Sequence, residues 1–183
     1  MIIENADFSF ENSLVKVVAN RNCPEIKLAG LTVGLFEEGN EYEVKYWIAR
    51  ELVKAGIARL PGEVLLEAAK LYKIQWKERV QASRQASKLP EDFYPRLRRY
   101  IEELKNEMTR KPEKMREYEK AKHLTQDIIN SRLKKIVLLA SAPAQTERIL
   151  KNITHEERFL YEKIHELVND WRRRILLNEE GEK

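Results

Sequence analysis

The sequence predicts an α+β fold that is mostly α: a small N-terminal β domain of three to four strands with a covering helix, followed by an antiparallel helical bundle. Three observations carry this. Apolar, β-branched runs broken by turn residues occupy residues 14–36, and no convincing strand follows residue 60. From residue 41 onward apolar positions instead recur at three- and four-residue spacings. The composition, 43% hydrophobic and 35% charged with only 6 Gly and 6 Pro in 183 residues, is that of a folded, helix-rich chain. The expected division is residues 1–60 for the β-rich domain and 61–183 for the helical domain.

Taken in order, Leu14–Val18, Glu25–Leu28 and Leu31–Phe36 read as strands, separated by Asn20-Arg21-Asn22, Pro24 and Ala29-Gly30. Val44, Trp47, Ile48, Leu52 and Ala55 then read as one helix starting near Glu41, with Gly56 at its C-terminal cap and Trp47 and Ile48 covering the sheet. Residues 63–82 carry Leu65, Ala68, Ala69, Tyr72, Trp76 and Val80 along one stripe, and Ser83–Lys88 reads as a polar break. A helix beginning near Phe93 places Phe93, Leu97, Tyr100, Ile101, Leu104 and Met108 on one side, and Pro112 ends it.

The longest helical run, about Glu113 to Ala142, groups Tyr118, Ala121, Thr125, Ile128, Arg132, Ile136 and Leu139, with Leu124, Ile129, Leu133 and Val137 alongside. A guanidinium inside such a stripe needs compensation, so Arg132 is expected to meet a carboxylate or helix-end carbonyls, either within the chain or on a partner. Thr154-His155-Glu156-Glu157 has capping-box spacing and opens a last helix striped by Leu160, Ile164, Leu167, Val168, Trp171 and Ile175.

Charge is uneven. Residues 1–60 hold 7 basic and 9 acidic side chains, whereas residues 61–183 hold 27 and 21. No stretch approaches the roughly 20 apolar residues of a membrane span, and the N-terminus lacks the sections of a signal peptide, so a cytoplasmic location without membrane contact is expected. The single Cys23 has no internal partner and no metal-ligand spacing around it. His123, His155 and His165 lack a second ligand at i+4, and GxGxxG, GxxxxGK[ST] and GxSxG motifs are all missing. No catalytic residue, metal or cofactor is therefore expected, and an enzyme with an unrecognised site is the remote alternative.

Two segments, "YPRLRRYIEELK" and "WRRR", combine aromatics with arginines, which suits nucleic acid. Tyr100 and Trp171 share stripes with aliphatic residues and are expected to face a core. That leaves Arg96, Arg98, Arg99, Arg172 and Arg173 as candidate DNA contacts of a stand-alone basic helical module.

The order of segments also resembles a family. "VKVVANRNCPEIKLAGLTVGLFEEGNEYEVKYWIARELVKAGIARL", with its turn from Gly30 to Phe36 and its helix containing Trp47, is followed by "EVLLEAAKLYKIQWKERV", "LPEDFYPRLRRYI" with Pro90, Phe93 and Tyr94, and "LTQDIINSRLKKIVLLASA" with Arg132, Lys135 and Ile136. Together these resemble the GINS complex of the archaeal and eukaryotic replicative helicase, in the subunit type related to the eukaryotic partners of Sld five numbered two and three, whose small β domain comes first. The segment "EEGNEYEV" departs from that pattern, standing where the family has a proline-rich turn.

The resemblance implies a non-catalytic scaffold in DNA replication. It would form a heterotetramer with a sister subunit, most simply two copies of each in archaea, that bridges the MCM helicase and a RecJ-like protein, with the β domain as a tethered docking module. Apolar stripes too broad for one short bundle fit burial against another subunit, with Phe93, Leu97, Tyr118, Ile128, Arg132 and Ile136 as the interface candidates.

Overall fold

A computed structural model describes residues 2–28, 30–62, 66–80, 85–142 and 150–176 and divides the chain into two compact units, Met1–Glu67 and Ala68–Lys183.

The first unit opens with a helix that the apolar pattern did not announce, α1 (Ile2–Glu11). Its one buried side chain among those described, Phe10, lies against Tyr46 with ring centroids 4.4 Å apart. Strand β1 (Leu14–Ala19) follows and alternates, with Val15, Val17 and Ala19 inward, as period-two geometry demands of a strand with one covered face. Strands β2 (Ile26–Leu28) and β3 (Leu31–Val33) form a separate antiparallel hairpin rather than joining β1.

The partner of β1 is β4 (Glu41–Lys45), antiparallel from Leu14 opposite Lys45 to Val18 opposite Glu41. The helix expected from Glu41 therefore starts later, as α2 (Tyr46–Lys54). Within β4 only Val44 is fully buried, so a single apolar residue served both a strand reading and the first position of a helical stripe. A two-residue strand, β5 (Ala58–Arg59), completes the order β4-β1-β5.

Two glycines are required by geometry. Gly56 has φ +67° just past the end of α2; its amide donates to the Val53 carbonyl and that of Ile57 to the Leu52 carbonyl, the paired bonds of a Schellman cap. Gly34 has φ +95°, and a Cβ there would lie 2.9 Å from the ring of Phe36, which is itself core. Ile48 is buried and Trp47 half-buried against the same core, as expected of the covering helix.

The second unit holds α3 (Ala68–Val80), α4 (Phe93–Arg110), a 3₁₀ turn (Pro112–Lys114), α5 (Met115–Ala140) and, last among the described residues, α6 (His155–Ile175). Helix α5 is central and packs against α3, α4 and α6. The expected end of α4 at Pro112 and the capping box at Thr154 are both present, the latter reciprocal between Thr154 and Glu157.

Three expectations for this unit are corrected. The stripe of α3 does not face the core: Tyr72, Trp76 and Val80 are exposed, whereas Leu71 and Glu78 are buried. (Leu65, assigned to the same stripe, lies outside the described residues.) The supposed polar break is in part interior, since Ala86 and Ser87 are buried; residues 83 and 84 lie outside the described residues. In α6 the buried residues are Glu157 and Tyr161, while Leu160, Leu167, Trp171 and Ile175 are exposed.

Candidate functional site

The helical unit is organised around a buried guanidinium. Arg132 is 0% exposed, and all five of its N–H groups have acceptors. Nε donates to Glu157 Oε1 at 2.5 Å and Nη2 to Glu157 Oε2 at 2.5 Å, the bidentate fork that planar guanidinium and carboxylate permit. Nη1 donates to Glu78 Oε1 at 2.8 Å and the Ser87 carbonyl at 2.7 Å, and Nη2 also to the Asn152 carbonyl at 3.2 Å.

The acids are filled equally. Glu157 accepts further from the Tyr94 hydroxyl at 2.6 Å and the Thr154 amide at 3.0 Å. Glu78 accepts from Lys135 Nζ at 2.7 Å, from the Ser87 amide at 2.9 Å and from the Ser87 hydroxyl. The cluster thus ties α3, the segment before α4, α4, α5 and the start of α6 to one another.

Charges follow from these contacts. Burial pushes the Glu78 carboxyl up, but the bonds from Lys135 and Ser87 and the charge of Arg132 outweigh it and hold it below the ordinary 4.5. Burial opposes charge on Arg132 too, yet the Glu157 bonds and charge keep it protonated more firmly than usual. Burial, then the Glu157 charge and bond, raises Tyr94 well above the tyrosine range, so its hydroxyl stays protonated and donates to Glu157. The hydrogen-bonding capacity of Arg132 and Glu157 is taken up within the chain, so these two residues hold the helices to one another.

This placement changes the interface assignment. Phe93, Leu97, Ile128, Arg132 and Ile136 are buried within the chain itself, because α3, α4 and α6 already cover that stripe of α5; only Tyr118 remains half-buried. The question of whether Arg132 is compensated internally or by a partner is resolved in favour of the chain's own Glu157 and Glu78.

The uncovered apolar side chains are different ones. Ile129, Leu133 and Val137 of α5 recur at i, i+4 and i+8 and are each about two-fifths exposed, at 41%, 42% and 41%. On α6, Leu160, Leu167, Trp171 and Ile175 form a second exposed row. The helical periodicity contained all of these residues; what it lacked was the identity of the face each helix turns inward.

The candidate DNA-contacting arginines are engaged. Arg96 pairs with Asp92 at 2.5 Å, Arg98 with Glu156 at 3.0 Å and Arg99 with Glu102 at 3.2 Å. Arg172 donates to the Ser141 carbonyl at 2.6 Å, closing the C-terminal end of α5 where a cation is favoured by the helix dipole. Arg173 lies 3.7 Å from Asp170. Trp171, expected to face a core, is exposed instead. His165 is half-buried: its Nδ1 meets the Ala140 carbonyl at 2.9 Å and its ring stacks on Tyr161.

No helix among the described residues is long and apolar enough to cross a membrane. In comparison with known families, residues 65–176 match the model described as the GINS complex protein helical bundle domain, and residues 3–60 match that described as the PSF2 N-terminal domain. No curated protein matches the chain as a relative.

Proposed function

The chain belongs to the GINS family, as the match over most of its helical unit shows, and from that premise we propose that it is a non-catalytic scaffold subunit which binds a sister subunit through the uncovered apolar faces of α5 and α6. The single observation that carries this is the row Ile129, Leu133 and Val137. These aliphatics lie on the helix that already contacts three others, and leaving them in water forgoes burial free energy of about 25 cal/mol per Å². A second chain removes them from water, and a specific interface of about 1,200–2,000 Å² accommodates both rows.

The assembly is a heterotetramer of two copies of each subunit type, linking the MCM helicase to a RecJ-like protein during DNA replication in the cytoplasm of an archaeal cell. The first unit, matched to the PSF2 N-terminal domain, is the docking module. Native mass spectrometry of the chain expressed alone and together with a sister subunit, whose helical domain comes first, tests the reading. Co-expression yields one complex with the mass of two copies of each; two separate monomers overturn it.

A further inference from the structure

We infer that the outward face of α3 binds single-stranded DNA, with Tyr72 and Trp76 as stacking platforms and Lys73, Lys77 and Arg79 as phosphate contacts. This goes beyond the scaffold reading, which requires nothing of α3's surface.

The aromatics come first. Tyr72 and Trp76 are 57% and 58% exposed and stand one turn apart, about 6 Å between their Cβ atoms as helical i, i+4 neighbours. Among the described residues no ring contact or hydrogen bond engages either of them. Rings of this size normally bury most of their area, so two adjacent ones in water mark a surface made to receive something flat or apolar.

Charge decides which. On a helix surface the neighbours of Trp76 are Tyr72, Lys73, Arg79 and Val80, and Lys77 adjoins Val80. Lys73, Lys77 and Arg79 form no ion pair among the described residues. The one acid within α3, Glu78, points inward and is taken by Lys135 and Arg132, so the helix turns its negative charge to the core and only positive charge to solvent; Glu67 lies just before its first turn. Several cations elsewhere on the surface have acids beside them, as with Arg96 and Asp92, Arg99 and Glu102, Lys114 and Glu117, or Lys163 and Glu166. Three cations without an acid partner among the described residues, set around two exposed rings, point to an anionic partner with flat faces.

Lysines interleaved with aromatics are poor material for the centre of a protein interface, where lysine is depleted, and differ from the aliphatic rows of α5 and α6. They match the combination of backbone-tracking cations and stacking rings that holds unpaired bases. A duplex hides those base faces, so the ligand is a single strand.

Fluorescence anisotropy with a labelled oligothymidylate of about 20 nucleotides, using the full chain alone and in the co-expressed assembly, tests this. Binding weakens with added salt, by a log–log slope of about −0.7 for each phosphate contacted. The oligothymidylate binds better than its duplex with oligoadenylate, and tryptophan emission is quenched. Trp76→Ala and the double variant Lys73→Glu/Lys77→Glu each lose at least about fivefold in affinity. Trp76→Phe retains binding, and Lys163→Glu, an exposed charge on α6, leaves it unchanged; circular dichroism verifies that every variant is folded.

Absence of binding by the unaltered chain overturns the proposal, as does unaltered affinity in Trp76→Ala. Equal affinity for duplex, or an equal loss in Lys163→Glu, shows diffuse charge attraction and overturns it too. Loss of binding on assembly assigns the face to a protein partner. Because native mass reads assembly without DNA, the two readings fail separately.

Discussion

Glu157 accepts four hydrogen bonds on two oxygens, from two nitrogens of Arg132, the Tyr94 hydroxyl and the Thr154 amide. A carboxylate has about four acceptor positions, so its capacity is filled, as is that of the Arg132 donors facing it. Removing one partner of such a pair leaves an uncompensated buried charge, which costs about 3–5 kcal/mol. Arg132→Ala should therefore lose about that much in chemical denaturation at pH 7, and Arg132→Lys should recover little, since an ammonium cannot span two carboxylates and two carbonyls. The same comparison has a pH dependence. The Glu78 carboxyl is held below its ordinary 4.5; its stabilising contribution is complete above that value and is lost as pH falls through the lowered one. The gap between Arg132→Ala and the parent should narrow in that acid range. A gap of constant size from neutral to strongly acidic pH would refute this account of the network. Much of this was legible in the residues: Arg132 stands out inside an apolar stripe, and the Thr154–Glu157 spacing predicts the cap. That one glutamate does both jobs was not, because the pairing joins positions 25 residues apart.

At the scale of elements, periodicity located the helices better than it oriented them. Tyr72, Trp76 and Val80 share a stripe on α3, but the helix turns inward on Leu71 and Glu78, because the Arg132–Lys135 pair on α5 requires a carboxylate there. A charged residue thus overrode an apolar stripe, which a reading based on hydrophobic spacing cannot foresee. In β4 the opposite ambiguity occurred: Val44 fits both a strand and a helix, and only pairing with β1 selects the strand. The exposed row of α5 carries its own prediction. Leu133→Asp should change the stability of the isolated chain by under about 1 kcal/mol, as expected of a surface site, yet abolish co-purification with the sister subunit. An intact complex would move the interface elsewhere.

For the molecule as a whole, each unit has a core of its own, one around Val17, Phe36 and Ile48 and the other around Ile136, Ala140 and Tyr161. Their stabilities are accordingly expected to be separable. Val17→Asp places a charge at a fully buried site and should unfold the first unit, leaving the helical melt followed at 222 nm with its main transition in place. A single cooperative loss of all structure would show that the units depend on each other. The sequence suggests two parts at residue 60, where strand-like runs stop and the basic excess begins, whereas it holds little trace of the separate β2–β3 hairpin, since strand order is set by pairing between distant residues.

Helix α5 presents two cations inward, Arg132 and Lys135, between Ile128 on one side and Ile136 on the other. Sliding the helix by one turn would set an isoleucine against Glu78 and Glu157 and push a cation into hydrocarbon, so the wrong alignments are penalised far more steeply than grease alone could manage. The paired charges act as a key that fits one notch, fixing which outward residues α5 displays and holding that display constant from molecule to molecule.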